Sequence, residues 1–120
     1  MVDLERKLTA ILAADVVSFS KYMSQDEEGT LGLVKRLETE ILTPIVKEHN
    51  GKIFKKMGDG YLADFPSVVG ALKAAIDIQN SLQRNNLSYP DNVTLELRIG
   101  VNSGDVIIDD QDIYGDGVNL

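Results

Sequence analysis

Residues 8–14 form an almost unbroken run of apolar side chains close to the start of the chain. A short continuous apolar run of this kind is typical of a β-strand that is covered on both faces. We therefore predict a first strand over about residues 6–17, in the interior of a sheet. The run ends at Asp15, so this strand carries a carboxylate to the point where the backbone turns.

A helical layer is predicted after this strand. Residues 18–23 are expected to form a short helical turn, and Ser24 and Glu27 have the spacing of a capping box with Ser24 as the N-cap. Apolar residues then recur at spacings of three and four, which predicts a long helix with one buried stripe; they are Leu31, Val34, Leu37, Ile41 and Ile45. Pro44 predicts a kink or local break in this helix, and Asn50-Gly51 ends it.

The tripeptide Gly58-Asp59-Gly60 separates two short strand patterns, residues 52–57 and 61–65. This is the composition of a tight hairpin loop whose glycines can take positive φ. Ser67, directly after Pro66, is the expected N-cap of a second long helix. The predicted buried face of that helix consists of Val68, Ala71, Leu72, Ala75, Ile78 and Leu82.

The last third of the chain predicts two more strands. Residues 93–101 alternate as a half-buried strand should, 102–104 are expected to turn, 105–108 form a short strand, and 109–120 are expected to be a loop that leads into a helix. The resulting order is β-α-α-β-β-α-β-β. This order predicts a ferredoxin-like α+β sandwich, with an antiparallel sheet, helices packed on one face, the first and third strands central, and the C-terminal side incomplete.

In such a sheet the end of the first strand lies beside the central hairpin, which brings Asp15 near Asp59. Two carboxylates at one corner can share hard divalent cations such as Mg²⁺. In two-metal phosphoryl chemistry the ions lie about 3.5–4 Å apart and stabilise the attacking and the leaving oxygen. Taken alone, each aspartate is more simply explained as a capping or hairpin residue.

Composition excludes several other kinds of protein. The 120 residues suffice for one domain with one core, and no apolar run is long enough to cross a membrane. The absence of cysteine and the single histidine, His49, leave a zinc site or a His-activated nucleophile almost without ligands, so any metal must be held by oxygen. A net charge of −7 argues against nucleic-acid binding. With no signal-peptide pattern, we expect a cytoplasmic location without membrane contact from this segment.

Four segments together resemble the consecutive signature segments of the class III nucleotidyl cyclases, in the right order and at plausible separations. They are Ala14-Asp15-Val16-Val17-Ser18-Phe19-Ser20, Lys55-Lys56-Met57-Gly58-Asp59-Gly60, residues 97–104 and residues 112–119. The resemblance spans almost the whole chain and is greatest to bacterial adenylate cyclases. It identifies residues 1–120 as the N-terminal part of a single cyclase catalytic domain.

The resemblance implies where metal and phosphate bind. Asp15 and Asp59 would bind two Mg²⁺ or Mn²⁺ ions, with the Val16 carbonyl as a further ligand. The triphosphate of ATP would lie against the backbone amides of Val17, Ser18, Phe19 and Ser20, and free N–H groups at a helix start do favour phosphate oxygens. The family often has glycine where Ser18 stands, so the close approach of the phosphate differs there.

The resemblance also implies which residues read the nucleotide. Lys55 and Asp112 match the pair that recognises adenine, with Lys55 donating to N1 and Asp112 accepting from the 6-amino group, and Asn119 matches the residue that orients the ribose. Taken without the resemblance, these residues have simpler roles. Lys55 or its neighbour Lys56 faces the cleft depending on strand register, Asp112 lies in an acidic run typical of a solvated loop, and Asn119 can be an ordinary helix residue.

The implied activity is the conversion of ATP to 3′,5′-cyclic AMP and pyrophosphate. In this family each active site is shared between two subunits, so the resemblance implies a homodimer for the complete domain. The transition-state arginine of the family falls beyond Leu120, and the fragment itself is therefore expected to be inactive. The alternatives are a non-catalytic cyclase-like module that binds nucleotide or a partner, and another palm-type enzyme such as a diguanylate cyclase.

Overall fold

The computed structural model describes residues 5–89, 92–109 and 112–115. Its elements follow the predicted order. In chain order they are β1 (Glu5–Val16), α1 (Phe19–Gln25), α2 (Glu27–Leu37), a π-helical turn (Glu38–Leu42), α3 (Thr43–Glu48), β2 (Lys52–Met57), β3 (Gly60–Phe65), α4 (Val68–Asn85), β4 (Leu97–Asp109) and β5 (Asp112–Gly115).

The five strands form one antiparallel sheet in the order β2-β3-β1-β4-β5. The predicted α+β sandwich, with the first and third strands in the interior of the sheet, is confirmed. β1 pairs with β3 on one side and with β4 on the other, and neither ladder contains a register shift. A strand flanked on both edges explains why its sequence is so apolar.

Alternate residues of the strands face the helices and form the core. On β1 these are Ala10, Leu12, Ala14 and Val16, each no more than 3% exposed. The core also takes in side chains from β3, β4 and all the longer helices; among them are Tyr61, Phe65, Leu97, Leu37, Ile41, Ala71 and Ile78. This face of the sheet is referred to below as the covered face, and the other as the open face.

Gly51 shows how closely the covered face is packed. A Cβ atom added there would lie 2.4 Å from the ring of Phe65, which is fully buried. The preceding residue, Asn50, takes φ 63° and ends α3, as the Asn50-Gly51 pair predicted. The chain that leaves α3 thus lies directly against the ring of Phe65 at Gly51.

The predicted cap at Ser24 is wrong. α1 extends to Gln25, so Ser24 lies within it, and its hydroxyl donates to the carbonyl of Lys21 at 2.8 Å. The N-cap of α2 is Asp26, whose side chain accepts from the N–H of Gly29 at 3.0 Å. An aspartate two residues along serves the same purpose, since its carboxylate reaches a free N–H of the first turn equally well.

The break predicted at Pro44 is confirmed, because α2 and α3 are separated by a π-helical turn and Pro44 stands in the first turn of α3. A proline has no N–H and clashes with the carbonyl four residues before it, so a regular α-helix cannot run through this point. Of the predicted stripe, Leu31 is 48% exposed and therefore does not belong to the buried face.

α4 has the predicted cap but a different buried face. Ser67 accepts from the N–H of Gly70 at 3.0 Å, as expected. Val68 and Leu72 are 41% and 48% exposed, which corrects their predicted burial, and Ala74 and Ser81 are buried instead. Ala71, Ile78 and Leu82 are buried as predicted, so the buried face of the helix runs along Ala71, Ala74, Ile78 and Leu82.

The predicted turn at residues 102–104 is wrong. β4 is one strand that starts at Leu97 and pairs with β1 without interruption, so the partner strand holds Gly100 and Asn102 in the extended ladder. The stretch 112–115, predicted as part of a loop, is β5 and pairs with residues 106–109 of β4. A continuous neighbour of twelve residues overrides the local turn propensity of glycine and asparagine.

Candidate functional site

A cleft of about 500 Å³ lies on the open face, where β1, β3 and β4 meet the β2–β3 loop. Most of its lining residues alternate along the strands with those of the core, because cross-strand partners share a face of the sheet. Asp15, Gly60 and Arg98 stand opposite one another at its end, and Ala13, Leu62 and Gly100 form the next row. The cleft thus has a polar end and an apolar floor.

Asp15 lies at the end of β1, as predicted, and it is paired with a cation. The guanidinium of Arg98 donates from Nε to Oδ1 at 2.9 Å and from Nη2 to Oδ2 at 3.2 Å. The pair is open to solvent, with 73% of the Arg98 side chain and 42% of the Asp15 side chain exposed. The hydrogen bond with Asp15 and its negative charge raise the pKa of Arg98, and Asp59 adds to this.

Asp59 lies in the two-residue loop between β2 and β3, next to Asp15. Its carbonyl accepts from the N–H of Val16 at 3.3 Å, and Gly60 is the cross-strand partner of Asp15. Gly58 supplies the positive φ of the loop, at 59°, while Gly60 does not need one. The structure therefore brings the two predicted aspartates to one corner.

The charge of Asp59 is felt by its neighbours. Burial raises the pKa of Tyr61 to about 12, with further contributions from Glu38 and Asp59. Asp59 raises the pKa of Arg98 as well. The corner thus combines two carboxylates with one guanidinium, and its oxygen donors are of the type that Mg²⁺ and Mn²⁺ prefer.

The loop predicted to hold phosphate connects β1 to α1. The N–H of Val17 donates to the carbonyl of Glu96 at 2.9 Å, so Val17 must be removed from the predicted set of free amides. Ser18 is the N-cap of α1 in the left-handed conformation, with φ 59° and ψ 30°, and its side chain makes no cap hydrogen bond. The first-turn amides after Ser18, including those of Phe19 and Ser20, therefore have no capping side chain.

Strand register separates Lys55 from Lys56. Lys55 pairs across the hairpin with Leu62, which lines the cleft, whereas Lys56 pairs with Tyr61 of the core. Lys56 accordingly forms an ion pair with Glu38 of the helical layer. Lys55 is exposed on the open face, and its predicted role in reading adenine stays a prediction.

The other two residues that are predicted to read the nucleotide are only partly described. Asp112 begins β5, at the opposite edge of the sheet from β2. Even so, the Cα atoms of β2 and β5 approach within 8 Å, so the sheet curls and brings the strand of Lys55 to that of Asp112. Asn119 lies outside the described residues, and its predicted role stays a prediction.

Arg98 is a site residue for which the sequence predicts no role. It belongs to the third signature segment, and its position between Leu97 and Ile99 in an alternating strand indicates the solvent side. Its contact with Asp15 depends on the pairing of β1 with β4, which sequence patterns do not specify.

A second group of ligand-type side chains lies in the helical layer. His49, at the end of α3, is hydrogen-bonded through Nε2 to Oδ2 of Asp77 on α4 at 2.7 Å, and the ligand atoms of Glu48, His49 and Asp77 lie within 4.8 Å of one another. Only 18% of the His49 side chain is exposed, so most of it is shielded from solvent. We interpret this contact as a link between the two helices.

Tyr22 and Tyr89 stack beneath the loop after β1. Their ring centroids are 3.7 Å apart and their planes differ by 10°. Burial, followed by the proximity of Tyr22, raises the pKa of Tyr89. A small cavity of about 180 Å³ lies beside them, next to Val17 and Ser18. The stacked rings and the loop after β1 thus line the same small cavity.

Residues 4–120 match the family model described as the adenylate and guanylate cyclase catalytic domain. A curated protein of Rhizobium meliloti (strain 1021), provisionally named adenylate cyclase 3, is 42% identical over 117 residues, which cover 98% of this chain and 20% of that protein. The chain thus spans about a fifth of this relative. No helix within the described residues is long and apolar enough to cross a membrane.

Solved structures show the same fold. An adenylate/guanylate cyclase/hydrolase from Silicibacter pomeroyi is 38% identical, with a TM-score of 0.87 over 98% of this chain and 68% of that one. The catalytic core of a rhodopsin-guanylyl cyclase with converted specificity, in complex with ATPαS, superposes with a TM-score of 0.85 over 98% of this chain and 70% of that one, at 22% identity.

Proposed function

Since the chain belongs to the family of adenylate and guanylate cyclase catalytic domains, we propose that it is part of an adenylate cyclase. The reaction is attack of the ribose 3′-oxygen of ATP on its own α-phosphate. The 3′-hydroxyl loses its proton, the bond to the β-phosphate breaks, and pyrophosphate leaves with cyclic AMP as the product. The observation that carries this proposal is that Asp15 lines the open-face cleft and Asp59 lies in the loop beside it.

The two aspartates would hold two divalent cations, Mg²⁺ or Mn²⁺, with the Val16 carbonyl as a further ligand. Bound ions would stabilise the charge on the α-phosphate and promote ionisation of the 3′-hydroxyl. The chain supplies carboxylates that are half-exposed and ready to exchange partners, and the oxygen-only donor set fits these metals. The backbone amides of Ser18, Phe19 and Ser20, at the start of α1, would hold the triphosphate.

Adenine is the proposed base because of Lys55 and Asp112. A lysine ammonium can donate to N1 of adenine, and a carboxylate can accept from the 6-amino group; guanine reverses this pattern. The position of Lys55 opposite Leu62, on the open face, supports its part in this pair. The similar proteins include both adenylyl and guanylyl cyclases, so the choice of adenine rests on Lys55 and Asp112 and not on these relatives.

We further propose that the complete domain works as a homodimer in the cytoplasm, with ATP as the substrate. Each site would combine the metal corner of one subunit with Lys55, Asp112 and Asn119 of the other. The open face supports this arrangement, because the helices among the described residues pack on the opposite side of the sheet, and Met57, which lines the cleft, is 53% exposed.

The test is cyclic AMP production by the complete protein with Mn²⁺ and ATP. Asp15→Asn and Asp59→Asn should each lower the rate by at least about a hundredfold, since disturbing even the outer partners of a metal typically costs 10–100-fold. The control is Asp77→Asn, which removes a carboxylate of the helical layer and should keep activity within about threefold. Retained activity in the Asp15→Asn protein would refute the metal assignment.

The same assay separates the two remaining possibilities. A non-catalytic module would bind ATP with Mn²⁺ but release no cyclic AMP or pyrophosphate. A guanylate-specific enzyme would turn over GTP in preference to ATP at equal concentrations.

A further inference from the structure

Arg98 already occupies the carboxylate that the proposed function assigns to a cation. Its guanidinium uses two donors, Nε and Nη2, on the two oxygens of Asp15. A bidentate pair of this kind is geometrically specific. A metal ion that binds Asp15 must share these oxygens with Arg98 or displace it.

The two strands keep Arg98 at this place. Asp15 on β1 and Arg98 on β4 are direct cross-strand partners in a ladder that runs without a register shift. The two side chains therefore remain neighbours whether or not they are bonded. Arg98 is part of the same chain as Asp15, so its effective concentration at Asp15 does not change with the composition of the solution.

The pair is also weak enough to yield. Both partners are open to water, with 73% of Arg98 and 42% of Asp15 exposed. Exposed pairs of this type change an equilibrium by no more than about fivefold. A divalent cation at ordinary concentrations can therefore replace the guanidinium, which would remain in the cleft near the charge of Asp59.

We propose that Arg98 is a positioning residue that competes with the divalent cation for Asp15, and thereby sets the metal concentration that the site requires. This inference rests on the proposed metal role of Asp15. In the metal-free protein Arg98 neutralises one of two neighbouring carboxylates and stabilises the fold. In the metal-bound protein it is released from Asp15.

The proposal predicts that replacing Arg98 strengthens metal binding but destabilises the metal-free protein. Arg98→Gln should tighten Mn²⁺ binding about three- to tenfold, because the competitor and its positive charge are both removed, and should lower the midpoint of urea unfolding in EDTA. Arg98→Lys keeps the charge but loses the planar fork, and should tighten binding by about two- to threefold. A residue that merely supported the site would weaken metal binding when replaced.

The experiment is a titration of the complete protein with Mn²⁺ alone, without nucleotide, followed by the electron paramagnetic resonance signal of free Mn²⁺. The matched control is Arg36→Gln, which removes another exposed arginine from an ion pair, with Glu40 at 2.8 Å, and makes the same change in net charge. Its Mn²⁺ affinity should stay within twofold of the wild type. Arg98→Gln binding no tighter than Arg36→Gln overturns the competition.

Asp15→Asn separates this failure from failure of the proposed function. If Asp15→Asn removes a Mn²⁺ site and Arg98→Gln changes nothing, the competition alone is wrong. If Asp15→Asn leaves Mn²⁺ binding unchanged, the metal assignment is wrong and the competition with it. In case Arg98→Gln does not fold, the Arg98 Nε–H resonance of the wild-type protein gives a second readout. It should shift during a Mg²⁺ titration, and a fixed resonance overturns the proposal.

Discussion

The two faces of the sheet are built from the same strands but do different work. On β1, Ala14 faces the helices and Asp15 the cleft; on β4, Leu97 belongs to the core and Arg98 to the charged corner. The covered face is apolar and densely packed, while the open face carries exposed ionic groups. Successive residues of a strand face opposite sides of the sheet, so a residue that stabilises the core can stand directly beside one that lines the cleft.

The clearest case is the pair of adjacent lysines on β2. Lys56 points to the helical layer and pairs with Glu38, whereas Lys55 is exposed on the open face. The two side chains have the same chemistry and almost the same place in the sequence. The comparison predicts that substitutions on the covered face change unfolding and those on the open face change activity.

Phe65→Ala should have the largest effect on stability. The ring is fully buried and packs against Gly51, so its loss leaves a cavity and should cost about 3–5 kcal/mol in the free energy of unfolding. Urea unfolding of the complete protein measures this. Lys55→Ala is the open-face control and should stay within about 0.5 kcal/mol. Similar losses for both variants would break the distinction between the faces.

Alkaline pH should destabilise the covered face through Tyr61. The pKa of Tyr61 is raised to about 12 in the folded protein, above the ordinary value of 10.0, so the unfolded chain loses its proton first. This stabilising contribution is present below pH 10 and is lost as the pH rises toward 12, by up to about 2–3 kcal/mol.

Comparison with Tyr61→Phe isolates this effect, because phenylalanine has no proton to lose. The wild-type protein should lose more stability than Tyr61→Phe between pH 10 and pH 12 in urea unfolding. Parallel curves for the two proteins would show that Tyr61 does not titrate abnormally.

Lys55→Gln should alter base choice with little change in stability. Glutamine is uncharged and shorter than lysine, so the charge-assisted hydrogen bond to N1 should be lost, and the preference for ATP over GTP should fall by about tenfold or more, since a buried acceptor left without its partner costs about 1–3 kcal/mol. Lys56→Gln is the matched control. It should retain the preference and lower stability by less than about 1 kcal/mol, the value of an exposed pair. The reverse result would place Lys56 in the site.

Ser18→Gly should have the smallest effect and a stabilising one. Ser18 takes φ 59°, where a side chain is strained and glycine is not. We expect a gain of about 1 kcal/mol or less, which corresponds to a rise of about 2–4 °C in Tm. The control is Asn92→Gly, at a position away from the cleft. Asn92 also has a positive φ, 66°, but asparagine tolerates this conformation better than serine, so the gain in Tm should be smaller. A lower Tm for Ser18→Gly would mean that the serine side chain supports the loop.

Sequence patterns predicted the elements whose causes are local. The strand ending at Asp15, the Ser67 cap and the break at Pro44 each depend on residues within a few positions, and all three are confirmed. The predicted turn at residues 102–104 failed for the opposite reason. Pairing with β1, about ninety residues earlier in the chain, keeps Gly100 and Asn102 in a continuous strand.

For the site, residue order alone determined which groups the chain can offer: oxygen ligands without thiols, two aspartates after strands, and four family segments in register. Tertiary structure decided which groups meet. The ion pair of Arg98 with Asp15, the outward position of Lys55 and the approach of β5 to β2 all follow from strand pairing and the curl of the sheet. The physical reason is that side-chain chemistry is a property of single residues, whereas proximity across strands depends on a register that the whole core stabilises.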